Sequence, residues 1–264
     1  MRQTFVDCSA LKRLNCLAVA AVATAFLLAI PAPSSADDEQ APGRDFLFGK
    51  PFGWLALRGS WLVPAADGDL FTFVNDQLTI DKGDFRTGGI TAEFGFTLAP
   101  RLDGAVGVES GRQTVHSEYR RYIDNAGLPI TQSTSIIQTN ISGSVRFDLL
   151  SPGRAVSRYA FVPRAVTPYV GGGGGFFYYS LKQQGDFVDF ATLRVFDDVF
   201  TSNGWSPSGH VLGGADIRWW RSLFVTIEGR YVWAHGDLGR DFIGFDGINL
   251  DGFRLSSGIS VFFK

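Results

Sequence analysis

Residues that could do acid–base or nucleophilic chemistry are few in this chain. Histidine occurs only at His116, His210 and His235. His116-Ser117-Glu118 puts a base, a hydroxyl and an acid side by side, but successive residues of a strand point to opposite faces, so the three cannot converge. Ser208-Gly209-His210 places a serine and a histidine on one face. A hydrolase would need an orienting acid within reach of that pair, and no complete triad is legible. The run Gly171 to Gly175 could cradle a phosphate, yet no GK[ST] follows and no helical pattern opens there. Within a strand, such glycines mark a bend or the close approach of another backbone. Acids are dense in 182–207 (Asp186, Asp189, Asp197 and Asp198, interleaved with Phe187, Phe190, Phe196 and Phe200) and recur at Asp237, Asp241, Asp246 and Asp251. They could attract divalent cations, but no spaced calcium-loop signature is present. Solvated acidic loops are the simpler reading. Neither catalysis nor a cofactor nor a metal site is expected.

The remaining polar chemistry is a set of isolated charges: Arg58, Glu93, Glu109, Arg146, Asp216, Arg218, Glu228, Arg230 and Arg254. Each falls on one parity of a stretch that alternates polar and apolar residues with period two, the mark of a strand. The clearest stretch is 223–233, where Leu223, Val225, Ile227, Tyr231 and Trp233 oppose Thr226, Glu228 and Arg230. The last, 253–263, sets Phe253, Leu255, Ile259, Val261 and Phe263 against Arg254, Ser256 and Ser260. Eight such stretches follow residue 51, the fifth (168–181) blurred by its glycines. The connections 99–101 and 220–222 are tight and 149–167 is longer. Four others are expected to be long polar loops: 64–85, 119–131, 182–207 and 234–251.

The first 36 residues look like a secretory leader. Arg2, Lys12 and Arg13 precede the apolar run 17–30, and Pro31, Pro33, Ser34, Ser35 and Ala36 follow it. The run is shorter than the roughly 20 residues a spanning helix needs. Residues 13–15 are too large and polar for a lipoprotein signal before Cys16. Residues 37–51 read as a polar linker and 52–264 as one domain. Both cysteines, Cys8 and Cys16, lie in the leader, which leaves no disulfide framework and no thiolate site. Of 24 basic and 26 acidic residues, loss of Arg2, Lys12, Arg13 and Asp7 leaves 21 and 25, a net charge of −4. Nothing in that balance suggests nucleic acid.

Alternation alone does not separate a soluble barrel from an inside-out one in a membrane. The content of the faces does. The charged face carries no lysine-rich decoration; its five arginines and four carboxylates come with Gly, Ser, Thr and Gln. That suits a narrow interior where charges must pair. The opposite face carries Trp61, Phe147, Trp219, Tyr231, Trp233 and Phe263 near strand ends, where aromatic girdles meet the two membrane interfaces. A closed barrel crosses a bilayer because closure pairs every backbone group without water.

Particular segments then resemble a known family. Thr167-Pro168-Tyr169-Val170 with the five glycines is similar to the "PYVGxGxG" strand of small outer-membrane barrels related to OmpA, OmpW and the opacity proteins. Glu228-Gly229-Arg230-Tyr231 resembles their penultimate strand. The ending 255–263, with Leu255, Ser257, Ile259, Val261 and Phe263 on one face, resembles their assembly signal, although Lys264 follows the aromatic on which that family ends. The resemblance covers most of 52–263 by pattern and only these segments by residue. It implies an all-β, eight-stranded antiparallel up-and-down transmembrane β-barrel in the cell outer membrane. Its partners would be membrane lipid, lipopolysaccharide and, through 255–263, the barrel-assembly machinery, and it is expected to be a monomer. Eight strands enclose a lumen about wide enough for side chains to fill. The nine charged residues are therefore expected to form a structural ladder that plugs it, leaving a structural or surface-interaction role. A narrow channel lined by the same groups is the sharper alternative. Likeness to OmpW implies another, transfer of small hydrophobic molecules, for which Phe176, Phe177, Tyr178 and Tyr179 are the candidate ligand residues. Consecutive aromatics must face both ways, so at least two could line the interior.

Overall fold

A computed structural model describes residues 47–124, 127–157 and 159–264. The expected leader and residues 37–46 of the expected linker lie outside the described residues. The strands are β1 (Leu47–Phe48), β2 (Gly53–Pro64), β3 (Thr87–Ala99), β4 (Leu102–Ile123), β5 (Pro129–Asp148), β6 (Gly153–Ser157), β7 (Ala160–Pro163), β8 (Val166–Val188), β9 (Val195–Arg218), β10 (Leu223–Gly236), β11 (Ile248–Asn249) and β12 (Gly252–Phe263), with one α-helix, α1 (Asp69–Gln77). Eight of them, β2, β3, β4, β5, β8, β9, β10 and β12, pair antiparallel in chain order, and β12 returns to β2 to close the ring. Closure removes the sheet edge that would otherwise expose unpaired backbone. This is the expected eight-stranded up-and-down barrel.

The faces sort as the alternation requires. On β2, Leu57 is 64% exposed while its neighbour Arg58 is 1% exposed. Ile90, Val106, Ile141, Val170, Val211, Leu255 and Ile259 are likewise exposed on the outer wall, so the ring wears a belt of apolar side chains. In water such a belt would be a very large unfavourable patch; in a bilayer it is the solvated face. The β8 glycines have the second of their two possible roles. A Cβ on Gly173 would lie 2.0 Å from the Gly143 carbonyl oxygen, and one on Gly175 2.0 Å from that of Ile141. The β5 backbone approaches too closely for a side chain there.

The expected loops 119–131 and 182–207 are mostly strand. β4 and β5 stay paired up to a connection at 124–128, and β8 and β9 up to one at 189–194. Their upper outward faces carry polar residues such as Arg112, Thr114, Lys182 and Thr201, which are exposed. Where the outer face meets water instead of lipid, both faces can be polar and the period-two signal disappears. The ladder of hydrogen bonds continues regardless.

Two further layers complete the unit. At the long-loop end, α1 turns Leu70, Phe71 and Val74 inward onto Tyr119, Ile130, Tyr179, Val232 and Leu250 in one buried apolar cluster. Phe71 meets Phe85 edge-on at 5.2 Å. At the short-turn end, β6 and β7 form a hairpin within the β5–β8 connection, and β1 pairs with β7 to make a three-stranded sheet. The last residues of the expected linker are therefore part of the folded unit. Phe161 and Pro163 of β7 face Phe224, Phe262 and Asp216 of the ring across a cavity of about 40 Å³. That is room for two or three waters.

Candidate functional site

All eight ring strands send a side chain into one charged layer in the lumen. Arg58 (β2), Glu93 (β3), Arg146 (β5), Asp216 (β9), and Glu228 and Arg230 (both β10) form a continuous network. Arg58 Nη2 lies 3.0 Å from Glu93 Oε2, and Arg58 Nη1 3.6 Å from Glu228 Oε2. Arg230 Nη2 bridges Glu93 Oε2 at 3.0 Å and Glu228 Oε1 at 2.9 Å. Arg146 joins Glu93 at 3.8 Å and Asp216 at 2.7 Å. From β8, the Tyr169 hydroxyl donates to Glu228 Oε2 at 2.9 Å. Arg254 (β12) and Glu109 (β4) pair at 2.8 Å beside it, and Glu109 also accepts from the Thr91 hydroxyl at 3.2 Å.

Eight of the nine predicted ladder residues are thus brought together, as four arginines against four carboxylates, each at most 7% exposed. Neutrality matters here, because an unpaired buried charge costs several kcal/mol while a paired, hydrogen-bonded one is tolerated. Arg218 is the exception. It stands at the short-turn rim, half-buried, where its Nη1 donates to the Pro163 carbonyl at 3.1 Å. Parity put it on the inner face, but it is the last residue of β9, at the very end of the ring, where it pairs with Phe224.

Several contributors were not picked out from sequence. Arg146 is held between two rings, 3.7 Å from the centre of Tyr169 and 4.4 Å from that of Trp54. The Thr226 hydroxyl donates to Asp216 Oδ1 at 2.6 Å, and the Ser142 hydroxyl accepts from Arg230 Nη1 at 3.3 Å. Trp54, Ser142 and Thr226 sit at inward parity on their strands, and that parity is the signal that could have found them; Tyr169 lies in the stretch whose glycines blur it.

The four aromatics of β8 divide as two and two. Phe177 and Tyr179 are buried inside. The Arg254 guanidinium lies 5.3 Å from the centre of the Phe177 ring, and the Tyr179 hydroxyl donates to the Asp237 carbonyl and meets Ser202 Oγ at 3.1 Å. Phe176 and Tyr178 point outward instead, the Tyr178 ring tilted against that of Trp205 with centres 5.2 Å apart. These two belong to the outer wall and cannot line a lumenal ligand site.

Of the histidines, His210 is buried with Nε2 2.8 Å from Ser144 Oγ, while His116 and His235 are exposed on the outer face. Ser117 is buried on the inner face, so His116 and Ser117 do point apart. Among the described residues no group of three or more His, Cys, Asp or Glu could hold a metal ion.

The chain is an outer-membrane-type β-barrel. No protein-family model matches it, and no curated protein does. Among solved structures it is similar to Neisserial surface protein A, at 13% identity and a TM-score of 0.44, covering 80% of this chain and 97% of that one. It is similar to OprG from Pseudomonas aeruginosa at 12% identity and a TM-score of 0.45, covering 82% and 99%. It is similar to Ail, the attachment invasion locus protein of Yersinia pestis, at 10% identity and a TM-score of 0.39, covering 81% and 99%. The assignment itself rests on the closed ring of eight strands, the apolar outer wall and the charged interior.

Proposed function

We propose that this protein is a plugged outer-membrane barrel: a structural platform whose long hairpins face outward to interact and whose lumen does not conduct. The observation that supports this most directly is the balanced Arg/Glu/Asp layer fed by every ring strand. It is flanked by the apolar cluster under α1 on one side and by Trp54, Phe224 and Phe262 on the other. In this reading the leader exports the chain, residues 255–263 present it to the assembly machinery, and it works as a monomer. Lipopolysaccharide and membrane lipid are its immediate neighbours. In this reading the role is not enzymatic; His210 and its partner Ser144 are both buried inside the ring.

Transfer of hydrophobic molecules would need an open apolar funnel near the long-loop rim. Phe177 and Tyr179, which would line it, are packed into the cluster with Leu181, Val232 and Leu250. The decisive measurement is single-channel recording on protein refolded into planar bilayers. We expect no conductance steps from the wild type. Steady, discrete steps with the heat-modifiable folded form would replace the plug by a channel.

A further inference from the structure

The two ends of the barrel carry opposite charge, and the short-turn end carries it in an unusual way. Arg101 Nε donates to the Asp148 carbonyl at 2.8 Å, and its Nη2 to that of Leu149. Arg164 Nε donates to the Ser151 carbonyl at 3.1 Å, and Arg218 Nη1 to that of Pro163 at 3.1 Å. Three guanidinium groups are thus fastened to main-chain carbonyls of one connection and its flanks. A carbonyl fixes a guanidinium but does not neutralise it. Arg154, on β6 in the small sheet at this end, is exposed. Among the described residues, Asp103, Asp148 and Asp216 at this end line the small cavity beneath β7. The opposite end is acidic, with Asp67, Asp76, Asp124, Asp186, Asp197 and Asp198 among its residues.

The basic rim coincides with the edge of the apolar belt. Trp219 and Trp220, 69% and 67% exposed, lie between Arg218 and Arg221, and Leu149 and Leu150 are exposed beside the carbonyls that hold Arg101. Indole rings favour the level of lipid headgroups. Guanidinium groups form charge-assisted, often bidentate bonds with phosphate oxygens. Basic residues near an anionic leaflet each strengthen binding on the order of fivefold.

We propose that the short-turn rim is a collar for anionic phospholipid headgroups, with Arg154 and Arg164 as its outer cations and Arg101 and Arg218 as its fixed inner ones. The collar rests on the membrane-barrel reading above. It commits the short-turn end to a phospholipid leaflet and leaves the acidic end to the other side.

The test uses the full chain refolded into vesicles of phosphatidylcholine alone and of an equimolar mixture with phosphatidylglycerol. Lipids retained on the folded barrel are then read by native mass spectrometry. The wild type is expected to retain phosphatidylglycerol over phosphatidylcholine. A variant carrying Arg154→Gln and Arg164→Gln is expected to lose that preference by roughly twenty-fivefold, about fivefold for each charge removed. The matching Arg→Lys variant is expected to keep most of it, which separates charge from misfolding. A control with Lys82→Gln and Arg194→Gln, at the opposite end, should retain lipid as the wild type does. No preference in the wild type, or equal losses in the rim variant and the control, would overturn the collar. If the wild type enters neither kind of vesicle, the membrane reading fails and the collar with it. If it enters both and shows a heat-dependent gel shift without any lipid preference, only the collar fails.

Discussion

The guanidinium of Arg146 lies 3.7 Å from the centre of the Tyr169 ring while it bonds Asp216 at 2.7 Å. One side chain thus ties β5 to β8 and to β9 across the lumen. Arg146→Ala removes the only cation within 4 Å of Asp216 among the described ion pairs and empties the space between Trp54 and Tyr169. The expected loss is about 3–5 kcal/mol, the usual cost of leaving a buried charge alone. Urea titration of the folded barrel in lipid vesicles checks it. Adding Asp216→Asn should restore part of the loss; an Arg146→Ala barrel with the wild-type midpoint would mean that the layer is not structural.

The outer wall gives a second expectation. Leu57→Arg places a charge on the apolar belt in mid-strand and should destabilise by about 2–4 kcal/mol if that wall faces hydrocarbon. His116→Arg, on the outward face of the β4 extension, should change stability by no more than about 0.5 kcal/mol. Comparable unfolding of the two variants in vesicles would argue that Leu57 never meets lipid. A wild-type band that does not shift on boiling in SDS, from protein recovered in the soluble fraction, would overturn the inside-out assignment altogether.

The apolar cluster under α1 should behave as a core of its own. Phe71→Ala removes a buried ring that packs edge-on against Phe85, and deletions of this kind cost about 3–5 kcal/mol. Because the cluster stands on the strand extensions, the loss should be local. Hydrogen exchange should accelerate in 65–86 while the β2–β12 ladder keeps its protection. Uniform acceleration through both would show that the cluster and the ring unfold as one.

At the tip of the β8–β9 hairpin, Asp189 Oδ2 accepts from the Thr192 hydroxyl at 2.6 Å and Oδ1 from the Ala191 amide at 2.9 Å. These bonds favour the charged carboxylate and hold its pKa below the usual aspartate value. A lowered pKa contributes order that is present above the ordinary aspartate range and is lost as pH falls through the folded value. Amide signals of residues 189–192 should therefore broaden on acidification, and Asp189→Asn should show that loosened state already at neutral pH. Tip signals that do not change with pH would remove the carboxylate from the turn.

The charge layer shows how far alternation carries. Arg58, Glu93, Glu109, Arg146, Asp216, Glu228, Arg230 and Arg254 could be placed inside because each is polar at a parity whose neighbours are apolar, and strand geometry leaves no other choice. Arg218 obeys the same parity yet misses the layer, since parity says which side of the wall a residue takes and not how far along the lumen it lies. Phe177 and Tyr179 could be separated from Phe176 and Tyr178 only as alternates, because the glycines before them erase the phase. It took the pairing of Gly173 with Ser144 and His210 to set it.

By itself, the sequence determined the ring of eight antiparallel strands, its apolar outer face and its charged, nearly neutral interior. All three follow from a period of two that chain chemistry imposes residue by residue. Only the tertiary structure decided which arginine meets which carboxylate, because partners such as Arg230 and Glu93 stand 137 positions apart and meet across the lumen. Only it could show that the hairpins continue as strands beyond the belt, that α1 seals one end and that β1, β6 and β7 cover the other. Above the belt water replaces lipid, the alternation that marks a strand is no longer required, and packing between distant segments takes over.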